Sequence, residues 1–358
     1  MNFDALIDRF GDLGLLAAGG LVVGLAFGLF AQRSRFCLRS AVIEFSGGSL
    51  STKVAIWLLA FSAAVAATQA AIVWGLLDVT DARQLAARGS LSGAVIGGLM
   101  FGVGMILARG CAARLLVLSA TGNLRALVAG LILTVTAQAS LRGILSPARE
   151  RLAELWTVDG GASRYLLSLV HAGPVLGLTL GASWLAFALW LARRAGVGIG
   201  IGASAIGVGL SIAAGWLFTF TLAQHSFALI TIGSVTFTGP SADTLMAFIN
   251  SPTVPLGFGV ALVPGVFAGS LLSALIAKEW KLQGFHDGQS MTRYFVGAIL
   301  MGFGAMLAGG CAVGAGVTGG AIFALTGWVA LTSMWAGGAV THLVVDGWLS
   351  DTLATIFA

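Results

Sequence analysis

Charged side chains are scarce in this sequence. Only 9% of its 358 residues are Asp, Glu, Lys or Arg, whereas 58% are hydrophobic and the mean hydropathy is +0.97. Soluble domains carry about 25% charged residues, so this chain cannot cover a water-facing surface. Its surface must face lipid, where helices satisfy their own backbone hydrogen bonds. No alternating strand pattern is present, so the composition predicts an all-α integral membrane protein and sets aside a β-barrel.

Cysteine and histidine are also scarce, with three and four residues. The cysteines are odd in number and lie within or beside apolar segments, which argues against a disulfide framework. The histidines are scattered without metal-ligand spacing, so no metal and no other cofactor is predicted. Basic residues in a membrane protein mark its loops, so the net charge of +5 does not indicate nucleic acid as a partner.

Glycine, in contrast, is abundant. The 52 glycines are about twice the usual share of roughly 7%. Many follow small-xxx-small spacing inside apolar runs, as Gly24 and Gly28 do, and this spacing lets helices approach closely in lipid.

About 20 apolar residues cross a bilayer, and by this rule the chain has about nine spans. They are predicted at 14–32, 53–77, 92–109, 123–141, 165–192, 203–223, 255–277, 293–309 and 326–345. Shorter apolar segments lie near 34–47, 111–121, 225–238 and 311–324. We interpret them as re-entrant helices or loops, which a membrane tolerates where protein or a water-filled cavity covers them.

Orientation follows from the basic residues. An N-terminus outside and a C-terminus in the cytoplasm places most of the 19 lysines and arginines inside, as the positive-inside rule expects.

The polar segment 142–164 contains Leu145, Leu152, Leu155 and Trp156. We predict an amphipathic helix there, lying at the outer surface.

One pattern occurs twice. Residues 97–112 read GGLMFGVGMILARGCA and residues 297–312 read GAILMGFGAMLAGGCA, so half of the positions match. The copies lie on the third and eighth predicted spans, which run in opposite directions. This arrangement predicts an inverted-topology repeat with a site near the midplane. We expect a single membrane domain, with a first repeat in 1–160, including the surface segment, and a second in 161–358.

The repeat places Cys111 and Cys311 at equivalent positions, each after a span and before a short broken segment. If that segment is a short helix, its N-terminal N–H groups attract anions and hydrogen-bond to sulfur. Gly309 and Gly310 are expected to let the backbone turn just before Cys311, and the first copy has Arg109 and Gly110 at the same two positions. A free cysteine is often only a small buried hydrophobe, but two equivalent cysteines favour a role in function.

The third cysteine lies in Arg33-Ser34-Arg35-Phe36-Cys37-Leu38-Arg39. Three arginines around one thiol suit an anion mouth, or an ordinary positive-inside loop. Glu44 follows as a proton acceptor or an ion-pair partner of Arg39, and the pairing is favoured. The predicted pathway residues are Cys37, Cys111, Cys311, Gly110, Gly310, Arg35, Arg39 and Arg109.

These patterns resemble the YeeE/YedE family of inner-membrane sulfur transporters. The resemblance rests on Arg33 to Cys37, on Gly102-Val103-Gly104 before Gly110-Cys111-Ala112, and on Gly302-Phe303-Gly304 before Gly310-Cys311-Ala312. It implies an hourglass-shaped helical protein of the bacterial inner membrane that takes up thiosulfate or a related small sulfur-containing anion. It also implies that the three cysteines pass the anion on by S–H···S hydrogen bonds, and that a small cytosolic sulfur-carrier protein is a partner.

Two other functions stay open at this point. A membrane sulfurtransferase would hold a persulfide on one accessible thiol of low pKa. A channel for another small solute, including other sulfur or selenium species, would use the cysteines only for packing. A transporter without enzymatic activity is the leading prediction.

Overall fold

The structure is a computed structural model that describes residue 7 and residues 9–250, 256–284 and 288–357. Within these residues nine helices are long and apolar enough to cross a membrane, which confirms the predicted all-α, multi-pass membrane protein. The only sheet in the described ranges pairs two short antiparallel strands, Gly89–Ser90 (β1) and Thr157–Val158 (β2).

The helices alternate between long spans and short connecting pieces. The long helices are α1 (Asp12–Ser34), α3 (Thr52–Val73), α5 (Leu91–Leu107), α7 (Leu124–Arg142), α10 (Pro174–Arg194), α11 (Ile199–His225), α13 (Phe258–Ile276), α14 (Gly288–Leu307) and α16 (Leu325–Phe357). The short helices are α2 (Leu38–Ser46), α4 (Arg83–Ala86), α6 (Ala112–Ala120), α8 (Ser146–Glu154), α9 (Leu166–Leu169), α12 (Thr238–Asn250) and α15 (Gly319–Ala321). A 3₁₀ turn covers Gly161–Arg164, and a π-helix covers Ala312–Thr318.

Helices α5 and α14 cross through reciprocal glycine contacts. A Cβ on Gly97 would lie 2.5 Å from the carbonyl oxygen of Gly304, and a Cβ on Gly304 would lie 2.7 Å from that of Gly97. Gly104 and Gly297 repeat this relationship at 2.5 and 2.7 Å. Reciprocal contacts between equivalent residues are what a twofold axis produces, so they support the inverted repeat. The boundaries at 1–160 and 161–358 stay a prediction.

The fifth span begins later than predicted. The sequence places it at 165–192, but α10 begins only at Pro174. Tyr165 pairs with Ala324, and the amide of Leu166 donates to the carbonyl of Phe323, so the stretch before Pro174 is tied to the turn that precedes α16. These backbone hydrogen bonds keep residues 165–173 out of the span, although their hydropathy alone places them in it.

The segment 142–164 contains a shorter helix than predicted. Helix α8 ends at Glu154, because the carbonyl of Trp156 then accepts hydrogen bonds from the amides that begin α5, and Thr157 pairs with Ser90 in the sheet. The segment therefore consists of a helix, a strand and a 3₁₀ turn, and it contacts the first residues of α5.

Between α11 and α12 the chain has no helix over residues 226–237. Of the two predicted forms of this segment, a re-entrant helix or a loop, the structure has the loop. Side-chain hydroxyls satisfy its backbone. Thr219 donates to the carbonyl of Gly233 at 2.6 Å, and Thr318 donates to that of Val235 at 2.6 Å. Such bonds replace the helical ones that the membrane interior requires.

Successive spans run in opposite directions, so their connections fall on two faces. One face, called the Arg35 face, carries the ends of α1 and α13, joined by the ion pair of Arg35 and Glu279 at 3.1 Å. The opposite face, called the Arg164 face, carries the sheet and the segment 142–164. An N-terminus outside would make the Arg164 face the outer one, and this orientation stays a prediction.

Candidate functional site

Each of the three cysteines lies immediately before a short helical segment. Cys37 precedes α2, Cys111 precedes α6, and Cys311 precedes the π-helix. The first amides of a helix have no carbonyl partner within it, and they give this end a partial positive charge. All three thiols therefore lie beside groups that attract anions.

The same backbone turn precedes each cysteine by two residues. Arg35, Arg109 and Gly309 have φ values of 55°, 55° and 81°, in the left-handed region. This conformation ends α1, α5 and α14; at α5 the amide of Gly110 donates back to the carbonyl of Met105. Residues other than glycine seldom adopt it, so the two arginines occupy strained positions that the surrounding structure imposes.

Of the expected turn residues, Gly309 has the left-handed φ, as Arg109 does in the first copy, whereas Gly110 and Gly310 do not. They permit close packing instead. A Cβ on Gly310 would lie 2.7 Å from the amide nitrogen of Ala315, and one on Gly110 would lie 3.1 Å from a methyl carbon of Leu115. Glycine thus lets each short helix fold back against the residue before its cysteine.

The structure brings the three thiols together. The thiols of Cys37 and Cys111 lie near enough to influence each other, and Cys311 is near enough to Cys111 for an electrostatic interaction. All three are free, with exposed fractions of 6%, 1% and 1% for Cys37, Cys111 and Cys311. Within the described ranges no group of three or more His, Cys, Asp or Glu residues is arranged to hold a metal ion.

The three predicted arginines lie farther out. Arg35 is exposed and pairs with Glu279. Arg109 is exposed, and its guanidinium carbon lies 5.9 Å from the ring centre of the buried Tyr294. Arg39 is half-buried near the start of α2. Arg35 and Arg109 therefore place positive charge at the Arg35 face.

A fourth arginine, which the predicted site leaves out, acts electrostatically on two of the thiols. Arg114 is half-buried in the first turn of α6, and its charge acts on both Cys37 and Cys111. Its Nη1 donates to Oε1 of Gln32 at 3.4 Å, and Nε2 of Gln32 donates to Glu279 at 3.1 Å. The sequence signal that could have identified Arg114 is its position three residues after Cys111, in the first turn of the short helix that follows this cysteine.

Fold and site together define a multi-pass membrane protein in which three buried thiols meet at the ends of short helices. The chain belongs to the sulphur transport family, whose profile matches residues 33–340. This membership confirms the family resemblance that the cysteine patterns indicate.

Two relatives carry the name thiosulfate transporter TsuA. The one from Escherichia coli (strain K12) is 26% identical over 328 residues, which cover 89% of this chain and 91% of the relative. The one from Spirochaeta thermophila (strain ATCC 700085 / DSM 6578 / Z-1203) is 29% identical over 333 residues, which cover 87% of this chain and 93% of the relative.

Proposed function

We propose that this protein takes up thiosulfate, or a related small sulfur-containing anion, across the bacterial inner membrane from the Arg164 face to the Arg35 face. Family membership and the names of the two relatives support transport of such an anion. The single observation that carries the mechanism is the meeting of three buried thiols at the N-termini of three short helical segments.

In the proposed mechanism the thiols and the helix N-termini replace water around the anion. A dianion that enters an apolar constriction without hydrogen-bond donors would be very unfavourable. The amides at the N-termini supply charge complementarity, and the three S–H groups supply weak donors to a soft sulfur atom. Weak donors suit passage, because conduction requires binding that is weak enough for release.

The relay would run from Cys311 through Cys111 to Cys37, because Cys111 interacts with both of the others. No covalent bond forms, and each thiol keeps its proton. Arg114 would receive the anion next, and the exposed Arg35 and Arg109 would pass it to the cytosol or to a small sulfur-carrier protein. Arg39 would add positive charge near the first turn of α2.

Burial of the thiols favours passage over a sulfurtransferase reaction. An enzyme that holds a persulfide needs an accessible thiol, whereas the most exposed of these three, Cys37, has an exposed fraction of 6%. Mass spectrometry of the purified protein after exposure to thiosulfate checks this point. We expect no stable persulfide, and a persulfide on any of the cysteines would contradict the non-covalent relay.

Uptake of labelled thiosulfate by cells that lack their own thiosulfate transporters tests the proposed function. We expect the wild-type chain to restore uptake and the variant with all three cysteines changed to alanine to lose it. Ser62→Ala is the matched control, because Ser62 is a buried small residue that bonds only to carbonyls of its own helix α3. Immunoblots of membranes establish equal insertion. Full uptake by the triple alanine variant would end the relay mechanism.

A further inference from the structure

A cavity of about 550 Å³ lies on the Arg164 face. Its lining includes Arg83, Arg164, Thr326, Gly309 and Gly310. One water molecule takes about 30 Å³ of liquid, so the cavity has room for a small anion together with surrounding water. Because Gly310 directly precedes Cys311, the cavity ends beside the first thiol of the proposed relay.

Arg164 is the most constrained cation in this cavity. The residue has an exposed fraction of only 6%. Its Nη2 donates to the hydroxyl of Thr326 at 2.6 Å, and its Nη1 donates to the carbonyls of Ala87 and Arg83. A Cβ on Gly89 would lie 2.6 Å from Nε, so glycine at this position leaves room for the guanidinium against the strand. The head group is thus held in one place.

These contacts leave the guanidinium incompletely satisfied. It has five N–H donors, and three acceptors are accounted for. Its Nε is buried against Gly89 without a hydrogen-bond partner, so the donor left for a ligand in the cavity is the second N–H of Nη2. Among the described residues no carboxylate lies within ion-pair distance of Arg164. Two glutamates line the cavity: Glu150 pairs with Arg149 at 3.0 Å, and Glu154 is in none of the ion pairs.

The electrostatics of Arg164 favour a negative ligand. Burial, and then the nearby positive charge of Arg83, lower the pKa of Arg164. A buried cation is normally paired, because an unpaired charge loses its hydration without compensation. An anion in the cavity would supply the missing counter-charge and would interact with both arginines.

We propose that Arg164, with Arg83 and the hydroxyl of Thr326, forms a capture site that binds a small oxyanion before it reaches Cys311. This inference rests on the proposed transport function for its direction, but the binding it describes does not require transport. Guanidinium and hydroxyl groups are hard donors that recognise oxygen atoms. The capture site therefore takes sulfate as readily as thiosulfate, and selection for the sulfur end falls to the thiols.

Transport kinetics test the site in the full-length protein in cells. We expect Arg164→Gln to raise the KM for thiosulfate about tenfold with less than a twofold change in maximal rate, and Arg83→Gln to raise it about threefold. Arg164→Lys keeps the charge but not the fork of donors, so its KM should lie between wild type and Arg164→Gln. Arg151→Gln is the matched control, because Arg151 is exposed on α8 but does not line the cavity.

Unchanged KM values in Arg164→Gln and Arg83→Gln would overturn the capture site, as would an equal rise in Arg151→Gln. If Arg164→Gln does not reach the membrane, the exposed Arg83 provides the deciding variant. A normal KM for Arg83→Gln would then count against the site.

Direct binding separates this inference from the proposed function. Calorimetric titration of the purified protein with sodium sulfate and sodium thiosulfate should give similar affinities, each weakened by Arg164→Gln. The triple cysteine-to-alanine variant should bind both ions like wild type although it transports neither. If the wild-type protein shows this binding but no thiosulfate uptake in cells, the transport proposal fails while the capture site stands. Absence of sulfate binding by a folded wild-type protein overturns the site.

Discussion

Arg114 donates a hydrogen bond to the side chain of Gln32, 3.4 Å away, and this bond fixes a positive charge beside two thiols. Gln32 is itself buried, with an exposed fraction of 5%, and its amide group donates to Glu279. The same carboxylate pairs with the exposed Arg35. Glu279 thus contacts Arg35 directly and Arg114 through Gln32. These contacts form a hydrogen-bonded series from the thiols to the Arg35 face.

Removing the charge of Arg114 tests this chain. We expect Arg114→Gln to reduce thiosulfate uptake about tenfold or more, because hydrogen bonds to charged groups contribute about 1.5–3 kcal/mol. Arg33→Gln on the same face is the control, since Arg33 is exposed and the site does not use it. Initial uptake rates, normalised to protein in the membrane, provide the measurement. Equal rates for both variants would show that Arg114 has no part in the pathway.

Replacing the cysteines one at a time tests the central place of Cys111. Because both other thiols interact with it, Cys111→Ala should lower uptake more than Cys37→Ala or Cys311→Ala, and by at least tenfold. Cys111→Ser keeps a hydroxyl donor in nearly the same volume and should retain part of the rate. Thiosulfate uptake rates, normalised to the amount of each variant in the membrane, provide the comparison. A serine variant as inactive as the alanine variant would show that donation of a hydrogen bond is not sufficient.

The helix crossing at Gly97 should not accept a side chain. Gly97→Ala puts a methyl group 2.5 Å from a backbone oxygen of α14, so the helices must separate and the protein should unfold at a lower temperature. Gly130→Ala is the control, because a Cβ at Gly130 in α7 meets no atom within 4 Å. Alanine is about 1 kcal/mol better than glycine in a helix, so this variant should be neutral or stabilised. Thermal unfolding in detergent provides the comparison, and equal midpoints would refute the packing argument.

The turn before Cys311 should require its left-handed residue. Gly309 has φ 81° and open space around it, so Gly309→Ala introduces backbone strain without a clash. The expected loss is about 1 kcal/mol in the free energy of unfolding. Gly309→Asn should lose less, because asparagine tolerates this region. Denaturant unfolding measures the difference, and an alanine variant as stable as wild type would contradict it.

Much of the fold follows from local sequence properties. The third span was predicted at 92–109 and the helix is Leu91–Leu107, because a long apolar run in lipid has few alternatives to a helix. The internal repeat indicates Cys111 and Cys311, and the three arginines around Cys37 indicate the third thiol. The fifth span was placed too early because Tyr165 is held by Ala324, a contact that hydropathy does not report.

The details of the site depend on contacts between distant parts of the chain. Glu44 shows this well: its carboxylate accepts backbone hydrogen bonds from Ser51, Lys53 and Val54, so it stabilises the start of α3. The sequence predicts a proton acceptor or an ion-pair partner of Arg39. It does not reveal the hydrogen bonds from the amides that begin α3, because only the folded chain brings those amides to the Glu44 carboxylate. Arg114 is absent from the predicted pathway for the same reason, because only the packing of α6 brings its charge near Cys37.

The glycine crossing of α5 and α14 has a mechanical consequence. Where the two backbones touch at Gly97 with Gly304 and again at Gly104 with Gly297, the glycines place no side chain between them, so one helix cannot slide along the other without separating the backbones. The pair behaves as a stiff strut at the centre of the molecule. If the protein carries the proposed anion, we expect the pathway to widen by a local rearrangement of the short segments that hold the cysteines, and not by a rocking of two halves.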